Sequence, residues 1–169
     1  LQLVRQQYAH VELIFIGNGT EQANLEQTAK DAQLERYVHF LGYQANPYSY
    51  MAKADIMVLS SRTEGLPNII IESLACGTPV IASDCISGPR EILHPKSELT
   101  RQLKSGVERG EFGLLYPVGA VSDLAEAIQL LLSEPELYEA FRQMGKERAE
   151  DFDAARIGGQ YLESFKHKN

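Results

Sequence analysis

The segment Ser60-Ser61-Arg62-Thr63-Glu64-Gly65-Leu66-Pro67-Asn68-Ile69-Ile70-Ile71-Glu72 holds two carboxylates, Glu64 and Glu72, with seven residues between them. Pro67 suits the first turn of a helix. The first N–H groups of a helix are unpaired donors at the positive end of its dipole, a seat for an anionic group such as phosphate. Glu72 lies five residues into that helix, about 7.5 Å along its axis. Its apolar neighbours, Ile69–Ile71 and Leu74-Ala75-Cys76, make it a semi-buried acid that needs a partner. A carboxylate repels a diphosphate but accepts hydrogen bonds from vicinal hydroxyls such as those of a ribose. Glu64, on the preceding loop, can do the same for a sugar. A purely structural alternative leaves Glu64 solvated and uses Glu72 to compensate the helix dipole.

A second candidate is the turn Gly17-Asn18-Gly19. Between a strand and a helix it resembles the start of a dinucleotide fingerprint, but the third glycine would fall at Gln22, and no acid ends the next strand. It reads either as a tight turn needing positive φ or as a place where the backbone approaches a ligand. His10, His39, His94 and His167 are scattered, and each reads as structural or exposed, not as a metal ligand.

The elements that must carry these residues follow from periodicity. Short apolar strands are expected at 11–17, 37–41, 55–60, 79–83 and 113–116. Helices are expected at the start, at 21–34, 47–54, 67–76, 90–93, 124–132 and 135–150, and after Asp153. Gly77 should stop the helix that begins at Pro67. Ser122 and Asp123 are candidate caps for the helix at 124–132. Residues 94–111, polar and charge-dense, read as an inserted loop with one helical turn. Strands alternating with helices imply a three-layer α/β/α, Rossmann-like arrangement with a mostly parallel sheet. Ligands of such sheets bind beyond the carboxyl ends of the strands, here the loops at 17–20, 42–46, 60–66 and 83–89.

The 169 residues suffice for one domain with a real core, and 44% hydrophobic content with 23% charged residues is ordinary for a globular protein. The net charge of −7 argues against a nucleic-acid partner, but not against a local phosphate site made of backbone amides. Cys76 and Cys85 are too few for a disulfide framework and read as small buried hydrophobes in a reducing cytosol. No stretch approaches the ~18–20 apolar residues of a membrane span. The opening LQLVRQQYAH is no signal peptide; Leu1, Val4 and Tyr8 form a helical stripe already under way. The expectation is a single domain of a longer protein.

Glu64-Gly65-Leu66-Pro67, the spacing to Glu72, and Ala75-Cys76-Gly77-Thr78-Pro79-Val80-Ile81-Ala82 resemble the donor-binding half of retaining glycosyltransferases of the GT-B fold (group 1, family 4). Ser87-Gly88-Pro89-Arg90-Glu91-Ile92-Leu93 and Gly113-Leu114-Leu115-Tyr116-Pro117-Val118-Gly119 continue the pattern in order, and Leu124-Ala125-Glu126-Ala127-Ile128 follows. The resemblance implies one half of a GT-B fold, a nucleotide-sugar donor as substrate, and no cofactor or catalytic metal. It implies that Glu64 is the catalytic-site acid beside the reacting sugar carbon and that Glu72 binds the ribose hydroxyls. Gly65, Leu66, Pro67, Asn68 and Ile69 would approach sugar and diphosphate, Gly17 the nucleotide, and residues 40–42 the base.

The chain departs from the family where the strand, loop, Arg and Lys that hold the leaving diphosphate should precede the first helix. The N-terminal acceptor domain is also missing, so the fragment alone is expected to be inactive. Arg62 and Arg90 are the nearest basic side chains, and the reading assigns phosphate to neither. The implied enzyme moves a sugar, with a lean to a UDP-hexose or UDP-N-acetylhexosamine, to a glycan or lipid-linked acceptor hydroxyl in polysaccharide biosynthesis. It would be cytoplasmic, with any attachment to the inner membrane face made through the missing domain. A non-catalytic nucleotide-sugar-binding module, a glycoside hydrolase using Glu64 and Glu72, and an epimerase on the same fold stay open as alternatives.

Overall fold

The computed structural model describes residues 1–166, so His167 lies outside the described residues. The chain divides into two compact units, Leu1–Tyr50 and a second that begins at Met51.

In the first unit, α1 (Gln2–Arg5), β1 (Leu13–Phe15), α2 (Gln22–Asp31) and β2 (Val38–Phe40) follow one another. β1 and β2 pair in parallel, with Leu13 opposite Val38 and Phe15 opposite Phe40. The Phe15 and Phe40 rings stack at 5.0 Å, an aromatic cross-strand pair that reinforces the register. Val4 of α1 is buried, as its stripe position requires. Arg5 donates to Val11 O at 2.6 Å, and its guanidinium lies over the Tyr37 ring. Helix α2 is shorter than periodicity suggests because Gln33, at φ +58°, turns the chain out of the helix.

The second unit carries β3 (Met57–Leu59), α4 (Asn68–Ala75), β4 (Val80–Ser83), α5 (Pro89–Leu93), β5 (Glu108–Arg109), β6 (Leu114–Tyr116), α6 (Val121–Ser133), α7 (Pro135–Glu150) and α8 (Ala154–Lys166). The short α3 (Tyr48–Met51) stands at the division. The sheet order is β3-β4-β6-β5, parallel except for β5, which runs antiparallel to β6. Every residue of β4 and β6 is buried, the near-continuous apolar pattern of strands covered on both faces. Val80, Ala82 and Leu115 pack with Ile70 and Leu74 of α4 and Ile92 and Leu93 of α5. Ile81, Leu114 and Tyr116 pack on the other side with Ala127 and Leu131 of α6 and Phe141 of α7. The three-layer expectation holds in this unit, and the strands and helices are those of a mostly parallel Rossmann-like fold.

Two expectations change. Residues 94–111 are not simply an inserted loop: Glu108 and Arg109 form β5, with Glu108 opposite Leu115 and Arg109 opposite Leu114. A two-residue strand made of charged side chains has no apolar alternation to betray it. Neither Ser122 nor Asp123 caps α6, whose N-cap is Ala120. The Asp123 carboxylate instead accepts from the Gly106 N–H at 3.0 Å, so it ties the polar excursion to the helix.

Candidate functional site

Helix α4 presents the candidate acids. Its buried residues Ile70, Ser73 and Leu74 recur at helical spacing and seat it on the sheet. Asn68 and Ile69 stay exposed, and Glu72 is half-buried between these faces. Pro67, in extended conformation, is the N-cap residue itself and contributes no side-chain hydrogen bond. The helix start therefore keeps unpaired N–H donors. At the other end Gly77 adopts φ +74°; its N–H donates to Leu74 O at 2.9 Å and the Thr78 N–H to Ser73 O at 3.0 Å. That is a Schellman ending, which needs a left-handed residue and explains the glycine.

The loop before α4 holds Glu64 half-buried, with Arg62, Gly65 and Leu66 exposed. Nothing lies within 4 Å of where a Gly65 Cβ would stand, which leaves the backbone there open to close approach. The carboxyl end of β4 runs alongside. Ser83 donates to Ser61 O at 2.5 Å, Thr63 forms an isolated parallel bridge with Ile86, and Gly88 packs against Gly65–Pro67. Burial pushes the Cys85 thiol up, and the nearby Glu64 carboxylate adds to the shift. Burial also raises the half-buried Cys76 thiol, with Glu72 adding to it. Cys85 behaves as the small buried hydrophobe expected, while Cys76 is only half-buried.

Arg90 is not available to a phosphate. It is 3% exposed and clamps Asp84 through two bonds, Nε to Oδ1 at 2.9 Å and Nη2 to Oδ2 at 2.6 Å. Its Nη1 reaches Glu108 Oε1 at 2.8 Å and Ser97 Oγ at 3.1 Å. Asp84 also accepts from the Leu103 N–H at 2.6 Å. His94 contacts both Glu108 and Glu111. Hydrogen bonds from Arg90 hold the Glu108 carboxyl below the usual range. This network fastens both ends of the 84–90 loop and carries the polar excursion to the carboxyl edge of β4. No local signal separates such an arginine from a ligand-facing one, since its partners lie up to 18 residues away.

The second unit thus brings together Glu64, Gly65, Leu66, Pro67, Asn68, Ile69 and Glu72 on one loop and the helix that follows it. Gly17 belongs to the first unit. There it adopts φ +111°, donates to Gly42 O at 2.8 Å and has nothing within 4 Å of a would-be Cβ. The positive φ is the one a tight glycine turn adopts, and no heavy atom crowds the Gly17 Cα. Among the described residues no group of three or more His, Cys, Asp and Glu could hold a metal ion, and no helix is long and apolar enough to cross a membrane.

Residues 1–148 match the family described as Glycosyl transferases group 1. An N-acetylgalactosamine-N,N'-diacetylbacillosaminyl-diphospho-undecaprenol 4-alpha-N-acetylgalactosaminyltransferase of Campylobacter jejuni is 32% identical over 90% of the chain, which spans 38% of that protein's length. An uncharacterized glycosyltransferase of Methanocaldococcus jannaschii is 30% identical over 91% of the chain and 41% of its own length. In structure the chain resembles Anabaena HepE crystallised with UDP, with TM-score 0.76 and 25% identity over 98% of this chain and 43% of HepE. A TarM mutant of S. aureus, crystallised with Fondaparinux, alpha-GlcNAc-glycerol and UDP, superposes with TM-score 0.80 at 23% identity, over 96% of this chain and 30% of TarM, and shows the shared GT-B fold. On the match over most of its length, the chain belongs to the group 1 glycosyl transferases.

Proposed function

We propose that the chain binds the nucleotide-sugar donor of a retaining transferase that moves a hexosyl or N-acetylhexosaminyl group from UDP to a glycan or lipid-linked hydroxyl. The observation that carries this reading is the pairing on α4 and its loop of an uncapped helix start, an open Gly65 backbone and two half-buried acids. Amides at the helix start hold diphosphate, whose charge the dipole favours. Glu72, deeper in the helix, accepts from the ribose hydroxyls, and Glu64 lies beside the sugar carbon that reacts. In a transfer with retention the C1–O bond to the diphosphate breaks, the acceptor oxygen bonds to C1 on the same face, and the leaving phosphate takes the acceptor's proton, with no metal needed. Fixing the reactants and stabilising the charge that develops on phosphate supply the rate.

UDP in the HepE and TarM crystals and the lipid diphosphate acceptor in the Campylobacter protein's name support the choice of donor and acceptor class. Because the chain spans 38% of that relative, the acceptor site is assigned to a further N-terminal domain, and the Arg and Lys that hold diphosphate to a strand and loop ahead of α1. Alone, the chain binds donor without turning it over, and membrane attachment at the cytoplasmic face belongs to that domain. Calorimetric titration with UDP, GDP and ADP tests the reading. Saturable binding of UDP ahead of the other two is expected, and no binding of any nucleotide at millimolar concentration refutes it.

A further inference from the structure

The loops at 61–67 and 83–88 meet along a seam of three ties within the second unit. The Ser83 hydroxyl donates to Ser61 O at 2.5 Å. Two residues further along the first loop, Thr63 bridges Ile86. Two further still, Gly88 lies under Gly65–Pro67, where a Cβ would strike Pro67 Cδ, approach Gly65 O at 2.5 Å and reach Leu66 Cα at 3.3 Å. Two of those three atoms are backbone, and the third belongs to a proline ring, so no flexible side chain can move aside. Gly88 also adopts φ +87° after Ser87 at φ +66°, which brings the chain into this close approach. The bidentate Arg90–Asp84 pair anchors the loop on both sides.

We propose that Gly88 is a positioning residue: its missing side chain lets the 83–88 loop act as the rigid bed on which Gly65, Leu66 and Pro67 are held in the geometry that receives the donor. The proposal rests on the donor-binding reading above. Gly88 touches no substrate and acts through the height of the Gly65–Pro67 backbone. Any L side chain at 88 must lift that backbone away, which misaims both the Gly65 approach and the start of α4.

The test compares Gly88→Ala with Gly113→Ala in the full chain. Gly113 has an equally closed environment, with Val80 O at 2.6 Å and Leu93 Cδ2 at 3.0 Å from a would-be Cβ, but it faces the core and not the loop. Melting temperature and the UDP dissociation constant are read for each. Both variants should melt lower than wild type, while Gly88→Ala alone should weaken UDP binding tenfold or more. Wild-type affinity in Gly88→Ala, or equal weakening in both, overturns the positioning role. Should Gly88→Ala fail to fold, Ser83→Ala cuts the first tie with less disturbance. It should weaken UDP binding several-fold, and an unchanged constant counts against the seam. A wild-type chain that binds no nucleotide sinks the donor reading itself, an outcome distinct from a variant that binds as wild type does.

Discussion

Replacing Arg90 with methionine removes the cation that serves two carboxylates inside the second unit. Methionine keeps much of the side-chain volume, so the charge is the main change. Asp84, with its side chain 1% exposed, keeps only the Leu103 N–H as a strong donor. Glu108, at 16%, keeps the His94 contact and a long approach from Arg101 at 3.7 Å. Breaking a buried pair by removing one partner costs about 3–5 kcal/mol, because the orphaned charge remains. With a urea m-value of ~2 kcal/mol/M the midpoint should fall by roughly 1.5–2.5 M. The chain has no Trp, so far-ultraviolet circular dichroism is the probe. The pH dependence separates charge from packing. Arg90 lowers the Glu108 pKa from its ordinary 4.5, so the unfolded chain binds that proton first as pH falls. The stabilisation is complete above 4.5 in wild type and is lost as pH drops through the lowered value. Without Arg90 this contribution disappears, so the gap between wild type and variant should narrow in acid. A loss under about 1 kcal/mol, the worth of an exposed pair, or a gap that does not change with pH, refutes the role of Arg90 as a buried clamp.

Glu72→Gln removes a charged acceptor from a half-buried helix position and should weaken UDP binding about 10–100-fold, the worth of a hydrogen bond to a charged group, with little change in melting temperature; titration calorimetry decides, and unchanged affinity removes Glu72 from the ribose. Burial, with Cys85 adding to it, pushes the Tyr116 phenol from 10.0 to about 12. A raised folded value means full stabilisation below pH 10, lost as pH climbs through about 12, a swing of roughly 2–3 kcal/mol. Alkaline unfolding curves of wild type and Tyr116→Phe should show that swing in the first and not in the second. Gly77→Ala forces an L residue to φ +74° and should cost about 1–2 kcal/mol. Its Cβ would meet only the flexible end of Lys146, so calorimetric melting should show strain without collapse.

The candidate site was legible because its parts are neighbours in the chain. Proline at a helix start, glycine at its stop and two acids at fixed spacing are all local statements. The same holds for α7, whose Pro135–Glu150 span is the expected one, with Phe141 buried as its stripe requires. The misreadings share one cause. Ser122 and Asp123 have cap chemistry, but Asp123 was taken by Gly106, 17 residues away. Residues 94–111 look like solvated loop because their charges carry no period, yet Glu108 pairs with Leu115 as a strand and with Arg90 as an ion.

The sequence alone was therefore enough for the order of the helices and of every strand but β5, for the acids on and before α4, and for the family those motifs resemble. Each depends on spacing within one element, where backbone geometry sets which side chains share a face. Only the tertiary structure decided that Arg90 is a buried clamp, that Gly88 lies beneath Gly65–Pro67, and that a polar excursion closes the sheet edge. Those outcomes depend on which distant group reaches a charge or a bare Cα first, and packing, not local spacing, makes that choice.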